Sequence, residues 1–354
     1  MNTFGRNFRF TSFGESHGAV LGGIIDGCPA GLTVDFDFVQ RELARRRPAQ
    51  SAITTQRAEK DKVTFLSGIF EGKTTGAPIG FIIENNDAQS ADYEEIKNIF
   101  RPSHADFTWY KKYGMRDFRG GGRSSARETA ARVTAGALAK IILAEKGIAI
   151  NAFTSQIGTY KISIPIETID FAETETNDVR CPQPDVAAKM IDYIKQLKEE
   201  GDSIGGVVTC AVSGLCAGTG EPVFGKLQAR LAAAMMSIPA AHGFDYGIGF
   251  EGVTLKGSQQ NDEFVLKNGK TVTATNNSGG IQGGISNGMS VYFRVLFKPA
   301  SSIACPQQTV DIHGQAQTIN IAGRHDPCVV PRAVPVVEAM AAMTLADMIL
   351  GGRK

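Results

Sequence analysis

The segment RDFRGGGRSSARE, Arg116 to Glu128, sets three consecutive glycines among arginines and runs straight into residues with helical spacing. Glycines let a backbone approach a ligand without a Cβ in the way, and the free N–H groups of a helix start attract negative charge. Arg116, Arg119, Arg123, Arg127 and Arg132 crowd the same short stretch. The chemistry this combination suits is anion binding. Ser125 and Glu128 also fit the S-x-x-E capping box, so the serine could serve only to start the helix. The loop lacks the Gly-Lys-Ser/Thr ending of a Walker phosphate loop and does not follow a clear strand as a GxGxxG turn does, which argues against ATP or a nicotinamide dinucleotide.

Other stretches carry related chemistry. ARRRPAQ places Arg45, Arg46 and Arg47 at a helix end before Pro48. Cations suit a helix C-terminus, yet three in a row exceed what the dipole asks for. Two of only five histidines, His17 in FGESHG and His104 in FRPSHADFT, follow a serine in loops marked by glycine or proline. A lone histidine is more often structural, but a loop histidine near arginines can move protons to and from a phosphate. AGRHDPCVVPRAVP brings Arg324, Asp326 and Arg332 beside prolines that stiffen the chain; an aspartate between cations stays ionised and can serve as a base or a positioning group. SGGIQGGISNG and KPASS flank a strand, and their glycines and Lys298, Ser301 and Ser302 suit either a ligand or ordinary hairpin turns.

The elements that must position these loops are mixed. KVTFLSGIFEG, PIGFIIEN, MSVYFRVLFKP and QTINIAG alternate as strands, several linked by short glycine turns that suit antiparallel pairing. Helical patterns end at Pro48, run from about Ser125 to Lys146, follow Pro184 to about Glu200, and lie near Gly225 to Ser237 and Val334 to Leu350. In the second of these Ala130, Val133, Ala137 and Ile141 form a narrow apolar stripe, which predicts a central helix. Strict βαβ alternation is absent, so the expected class is α+β, with antiparallel sheets packed around a helical middle. No linker, repeat or compositional break divides residues 1–354, and a single domain is expected.

Bulk composition bounds the partners. The 354 residues carry 37 Lys and Arg against 36 Asp and Glu, so no global field gathers nucleic acid or an anionic membrane, and any anion must be met locally. Uninterrupted apolar runs fall short of the roughly 18 residues a membrane span needs, AMAAMTLADMIL being broken by Asp347, and the polar N-terminus does not read as a secretory signal. A cytoplasmic protein is the expectation. Six scattered cysteines show no CxxC or Cys/His spacing for zinc, so no metal site is expected.

In FGESHG, RRRPAQS, TTGAPI, RPSHADFT, RDFRGGGRSSARETAARV, GGIQGGISNG, KPASS and GRHDPCVVPRAVP, in that order over essentially the whole chain, the sequence resembles the chorismate synthases. The resemblance implies a carbon–oxygen lyase that converts 5-enolpyruvylshikimate 3-phosphate to chorismate and phosphate by a 1,4-anti elimination, the last step of the shikimate pathway, with reduced FMN required although no net redox change occurs. It implies that His17 protonates the leaving phosphate, that His104 protonates the reduced flavin near N1, and that Asp326 works with flavin N5 in removing the C6 proton. FMN contacts are implied at Arg123, Ser124, Ser125, Ala240, Gly283, Lys298, Pro299, Ala300, Ser301, Ser302 and Arg324. Substrate contacts are implied at Arg45, Arg46, Arg47 and Arg332. The family's fold is a β-α-β sandwich and its usual assembly a homotetramer. Three positions depart from the family pattern: Ala49 stands for a glycine, Ala52 for a frequent arginine that Arg57 could replace, and Pro239 turns the usual SINA into SIPA. No insertion stands out that would house a flavin reductase, and outside reduction of the flavin is expected. A non-catalytic phosphate or nucleotide binder would keep the arginines without poised proton donors. An RNA-binding protein would need a basic face and stacking aromatics.

Overall fold

The computed structural model describes residues 1–51, 53–54, 60–86, 93–94, 96–321 and 326–352. Its first sheet is built from β1 (Thr3–Phe4), β2 (Arg9–Phe13), β3 (Val20–Asp26), β4 (Val63–Phe65) and, after a small hairpin of β5 (Ile69–Phe70) and β6 (Lys73–Thr74), β7 (Ile79–Glu84). Their spatial order is β1-β2-β3-β7-β4, antiparallel throughout, with Leu21 opposite Ile83. KVTFLSGIFEG, read as a strand, breaks at Gly68 because the chain turns there at φ +77°. Gly22 and Gly23 in β3 make room for aromatic rings: a Cβ on either would lie 2.4 Å from Phe13 or Phe10.

The second sheet contains β8 (Ala149–Ile157), β9 (Tyr160–Lys161), β10 (Gly206–Ser213), β11 (Ala241–Tyr246) and, after hairpins β12 (Phe264–Lys267) with β13 (Lys270–Thr273) and β14 (Ile281–Gln282) with β15 (Ile285–Ser286), β16 (Val291–Phe297). Its order is β11-β16-β10-β8-β9, again antiparallel, with Cys210 opposite Phe293. A last hairpin joins β17 (Gln307–Val310) to β18 (Ala316–Ile319).

The helices are α1 (Phe36–Arg46), α2 (Asp106–Tyr113), α3 (Thr129–Ala144), α4 (Pro184–Glu200), α5 (Leu227–Met236), the single turn α6 (Gly257–Gln260) and α7 (Val330–Gly351). α3 packs on β2, β3 and β7 of the first sheet and on β8 of the second, while α7 packs on β8, β10, α1, α3 and α5. Helices therefore form the middle layer between two sheets, the α+β sandwich expected. That placement corrects the narrow stripe read for α3, whose residues are buried almost all round from Thr129 to Ala139 because both faces meet a layer.

α7 starts at Val330, earlier than Val334, since proline is tolerated in a first turn. Pro335 then lacks the N–H that would bond the carbonyl of Pro331. Arg180 Nη1 donates to that carbonyl at 2.5 Å instead. By length and hydropathy α7 could cross a bilayer, but it is the buried core helix of the sandwich.

Candidate active site

The glycine loop runs at positive φ, +62° at Gly120, +83° at Gly121 and +53° at Gly122, a path that side chains rarely follow. A Cβ on Gly120 would sit 2.6 Å from His17 Cδ2 and Nε2, and one on Gly121 would sit 3.2 Å from His104 Cε1. The loop thus passes between the two imidazoles. After it come two short 3₁₀ turns, Gly122–Ser124 and Ala126–Glu128, before α3 begins at Thr129. Ser125 caps the second turn, accepting from Arg127 N–H at 3.4 Å, whereas Glu128 pairs with Arg132 at 2.8 Å rather than completing a capping box.

His17 belongs to a loop after β2 that is tied on both sides. Ser16 N–H donates to Gly122 O at 3.4 Å and Arg123 Nη1 to Gly14 O at 3.1 Å. Asn85 Nδ2 donates to Glu15 O at 3.0 Å and Gly18 O at 2.8 Å, and Tyr93 meets the His17 ring edge-on at 5.3 Å. His104 precedes α2, with Nδ1 3.0 Å from Asp106 Oδ1. Burial lowers the His104 pKa, Asp106 opposes that shift, and Arg101 and Arg116 reinforce it.

The three adjacent arginines have three fates. Arg45 is held by Glu42 at 2.9 Å, Glu175 at 2.7 Å and Glu338 at 2.6 Å, inside a network that also contains Lys140. Arg46 is buried, and its Nη2 donates to the buried Asp61 Oδ2 at 2.6 Å. Arg47 is exposed at the end of α1. Asp61 Oδ1 also takes Arg127 Nη1, so one carboxylate clamps two guanidinium groups. Burial would raise the Asp61 pKa, but Arg46 and Arg127 hold it below the usual carboxylate range. Arg332 pairs with Asp326 and donates through Nε to Arg46 O at 3.2 Å. Asp61 and Asn85 lie outside any arginine or histidine motif, and Asp106, inside RPSHADFT, carries no sequence signal of its contacts; Arg127 belongs to the anion-binding stretch without an assigned site.

The residues implied for the cofactor fall into two places. Lys298 N–H donates to Ala240 O at 2.9 Å, Lys298 Nζ reaches Ser301 Oγ, and Ser301 Oγ donates to Ser103 O at 2.9 Å, which ties KPASS to the segment after α5 and to the His104 loop. Ala300 O accepts from Ser203 Oγ at 2.8 Å; Pro299 is exposed and Ser302 half-buried. Burial lowers the Lys298 pKa. Gly283 stands elsewhere, paired with Gly284 at φ +62° and +98° in the two-residue turn between β14 and β15. Gly284 O accepts from Leu227 N–H at the start of α5, roughly 15 Å from the other end of that helix, where Ala240 follows. Arg324 lies outside the described residues, as do Ala52 and Arg57.

A cleft of about 390 Å³, within the range of cofactor sites, lies between the N-terminal strand and the middle layer, with Arg123, Ser124, Trp109, Pro239, Met340 and Met343 on its walls. The lining combines Arg123, Arg132 and serine hydroxyls with Trp109 and apolar side chains, a set that suits a planar ring bearing an anion. The Pro239 departure has a local reason: Ala241 N–H donates to Ile238 O at 3.1 Å, and Ala240 sits at φ +66°. That is a type II turn, which favours proline at its second position.

An α+β sandwich whose loops gather two histidines, a glycine turn and buried guanidinium groups defines an enzyme built to handle a small polyanion. The chorismate synthase family profile matches residues 8–350. The chain is 59% identical to the chorismate synthases of Phocaeicola vulgatus and Bacteroides thetaiotaomicron over 349 residues, covering 99% of this chain and 98% of each relative. A solved structure, "Crystal Structure of Chorismate Synthase", superposes with a TM-score of 0.79 at 34% identity, covering 99% of this chain and 94% of that one. The chain belongs to the chorismate synthase family.

Proposed function

We propose that the enzyme converts 5-enolpyruvylshikimate 3-phosphate to chorismate and phosphate, with reduced FMN bound in the cleft beside Arg123 and Ser124. One observation carries this reading: the candidate residues are linked by hydrogen bonds and, between the glycine loop and His104, by close packing. From Asp326 the path runs through Arg332 to Arg46, across Asp61 to Arg127, and on to Asn85, whose amide holds the His17 loop. From there Ser16 reaches the glycine loop, which abuts His104, and the His104 loop reaches Lys298 and Ala240 through Ser301.

The chemistry reduced FMN supplies when bound is transient donation of electron density that helps phosphate depart, with no net redox change. The chain does the proton work. His17 would give a proton to the leaving phosphate, His104 would hold or move a proton at its Nε2 on the flavin side, and Asp326, held by Arg332, would assist removal of the C6 proton; each placed group of this kind contributes about 10²–10⁴-fold. Arg47 and Arg332 meet the substrate's phosphate and carboxylates, because guanidinium pairs are strong and directional, and Arg46, buried against Asp61, backs them from beneath. Arg45, engaged by three carboxylates, supports this role by fixing the end of α1. Arg123, Ser124, Ser125, Ala240, Lys298, Pro299, Ala300, Ser301, Ser302 and Arg324 hold the flavin, while Gly283, at the other end of α5 from Ala240, stands apart from them.

The reading includes one domain over the whole chain, supported by α3 touching both sheets. It also includes a cytoplasmic homotetramer that has neither nucleic acid nor membrane as a partner and receives its flavin already reduced. The deciding experiment is anaerobic: purified enzyme is mixed with 5-enolpyruvylshikimate 3-phosphate and dithionite-reduced FMN, with oxidised FMN as control, while chorismate absorbance and phosphate release are followed. Product with reduced flavin alone supports the reading. Absence of product together with absence of binding overturns it.

A further inference from the structure

We propose that Asp106 is a positioning residue that fixes the His104 tautomer, keeping the proton on Nδ1 and turning a bare Nε2 toward the glycine loop. Nδ1 lies between two groups that ask opposite things of it. Asp106 Oδ1, 3.0 Å away, only accepts, whereas Arg101 Nη2, 3.2 Å away, only donates. The carboxylate wins on geometry and charge. Arg101 is already anchored to Asp106 by two of its five N–H groups, Nε to Oδ2 at 2.7 Å and Nη2 to Oδ1 at 3.0 Å, and its charge is met there without a histidine lone pair. A bare Nδ1 facing a carboxylate oxygen at that distance would be repelled, and a protonated one is a charge-assisted donor.

Asp106 is itself immobile. It is buried, and besides His104 it takes Arg116 Nη1 at 2.9 Å and the Arg101 N–H at 3.3 Å. Burial would raise its pKa, but His104 and Arg101 hold it well below the usual range. The carboxylate therefore stays ionised wherever the protein is folded. The other ring edge faces Gly121, where a Cβ would approach Nε2 to 3.4 Å. Removing the carboxylate while keeping its shape leaves Arg101 as the partner of Nδ1, and the proton then moves to Nε2.

The catalytic consequence rests on the function proposed above; the tautomer does not, and its test needs no turnover. Full-length enzyme labelled with ¹⁵N-histidine is examined by solid-state NMR across pH, with the His104 signals assigned by their loss in His104→Gln. The expected wild-type imidazole is protonated at Nδ1 and bare at Nε2. In Asp106→Asn the proton shifts to Nε2 and the titration midpoint falls, because the remaining neighbours, Arg101 and Arg116, both disfavour imidazolium. Turnover in that variant falls with KM little changed, by up to the roughly 10⁴-fold seen when a histidine is left in the wrong tautomer. A wild-type proton on Nε2 overturns the proposal, as does Asp106→Asn with tautomer and midpoint both unmoved. Should the variant fail to fold, the wild-type spectrum still decides. A wild type that lacks turnover but shows the Nδ1 proton would defeat the assigned activity and leave the tautomer assignment standing.

Discussion

Gly120 shows how much of this site is made of space. Its φ of +62° and the 2.6 Å left between a Cβ and the His17 ring mean that Gly120→Ala must strain the loop and displace the imidazole. Misplacing a reacting group by about 1 Å costs on the order of 10²-fold, so a loss of that size in turnover is expected, with substrate affinity nearly kept. Steady-state kinetics decide it, and a variant with wild-type turnover would refute the packing argument. Ala49 is the opposite case, a side chain at φ +57° where the family resemblance expects glycine. Relief of left-handed strain, about 1–2 kcal/mol, outweighs the extra unfolded entropy of glycine, so Ala49→Gly should stabilise by about 1 kcal/mol. Thermal denaturation would show a melting point higher by about 1–2 °C. At this scale the sequence was informative about residue type but silent about partners. His17, His104 and the arginines stood in legible motifs; Asp61 stood in none, and Asp106, two residues from His104, showed its partners only once the fold placed it against those cations.

Among the elements, α3 and α7 carry the middle layer, and their crossing depends on a missing side chain. A Cβ on Gly136 would lie 2.3 Å from Ala339 Cβ and 2.5 Å from its Cα, so the neighbour that would have to move is a helix backbone. Alanine gains about 1 kcal/mol in helix propensity over glycine, and overpacking costs about 1–3 kcal/mol. Because the clash is with backbone, overpacking wins, and Gly136→Ala should lower the midpoint of urea unfolding. An equal or higher midpoint would show that the helices separate at little cost. Helix ends marked by Pro48, Pro184 and Gly201 were readable, since those residues act through their own backbones. Burial of α3 on both faces was not, because a stripe of apolar residues reports one packed side, and small residues such as Ala131, Ala135 and Gly136 look neutral until a second sheet is known to cover them.

For the molecule as a whole, near-zero net charge leaves no global field and conceals the charges inside. Glu42, Glu338, Arg45 and Lys140 join α1, α3 and α7 in a buried network, and its pairing across nearly 300 residues of sequence leaves no local pattern to read. Such groups tie stability to pH. His104, depressed below 6.5 by burial, takes up its proton at a lower pH in the fold than in the unfolded chain, so stability falls as pH drops below about 6.5. Burial opposes the shift of Glu338, yet Lys140 and Arg45 bring it to about 2, and Asp61 and Asp106 are likewise depressed. Their contribution is present above the unfolded values of 4.5 for Glu338 and 3.8 for the aspartates, and is lost as pH falls through the folded ones, which steepens the decline. On the alkaline side burial raises Cys28 to about 11 and Cys328 to about 12, with Cys181 and Cys210 also raised, so above the unfolded thiol value of 9.0 the unfolded chain sheds protons that the fold keeps. Each proton of difference changes stability by about 1.4 kcal/mol per pH unit. Urea unfolding between pH 2 and 10 should therefore show a plateau from about 6.5 to about 9, a shallow one-proton fall just below it and steeper falls below about 4.5 and above about 9. Stability that keeps rising as pH drops from 6.5 toward 5 would contradict a neutral buried His104, and the shallow acid limb should vanish in His104→Gln while the carboxylate limb below it remains.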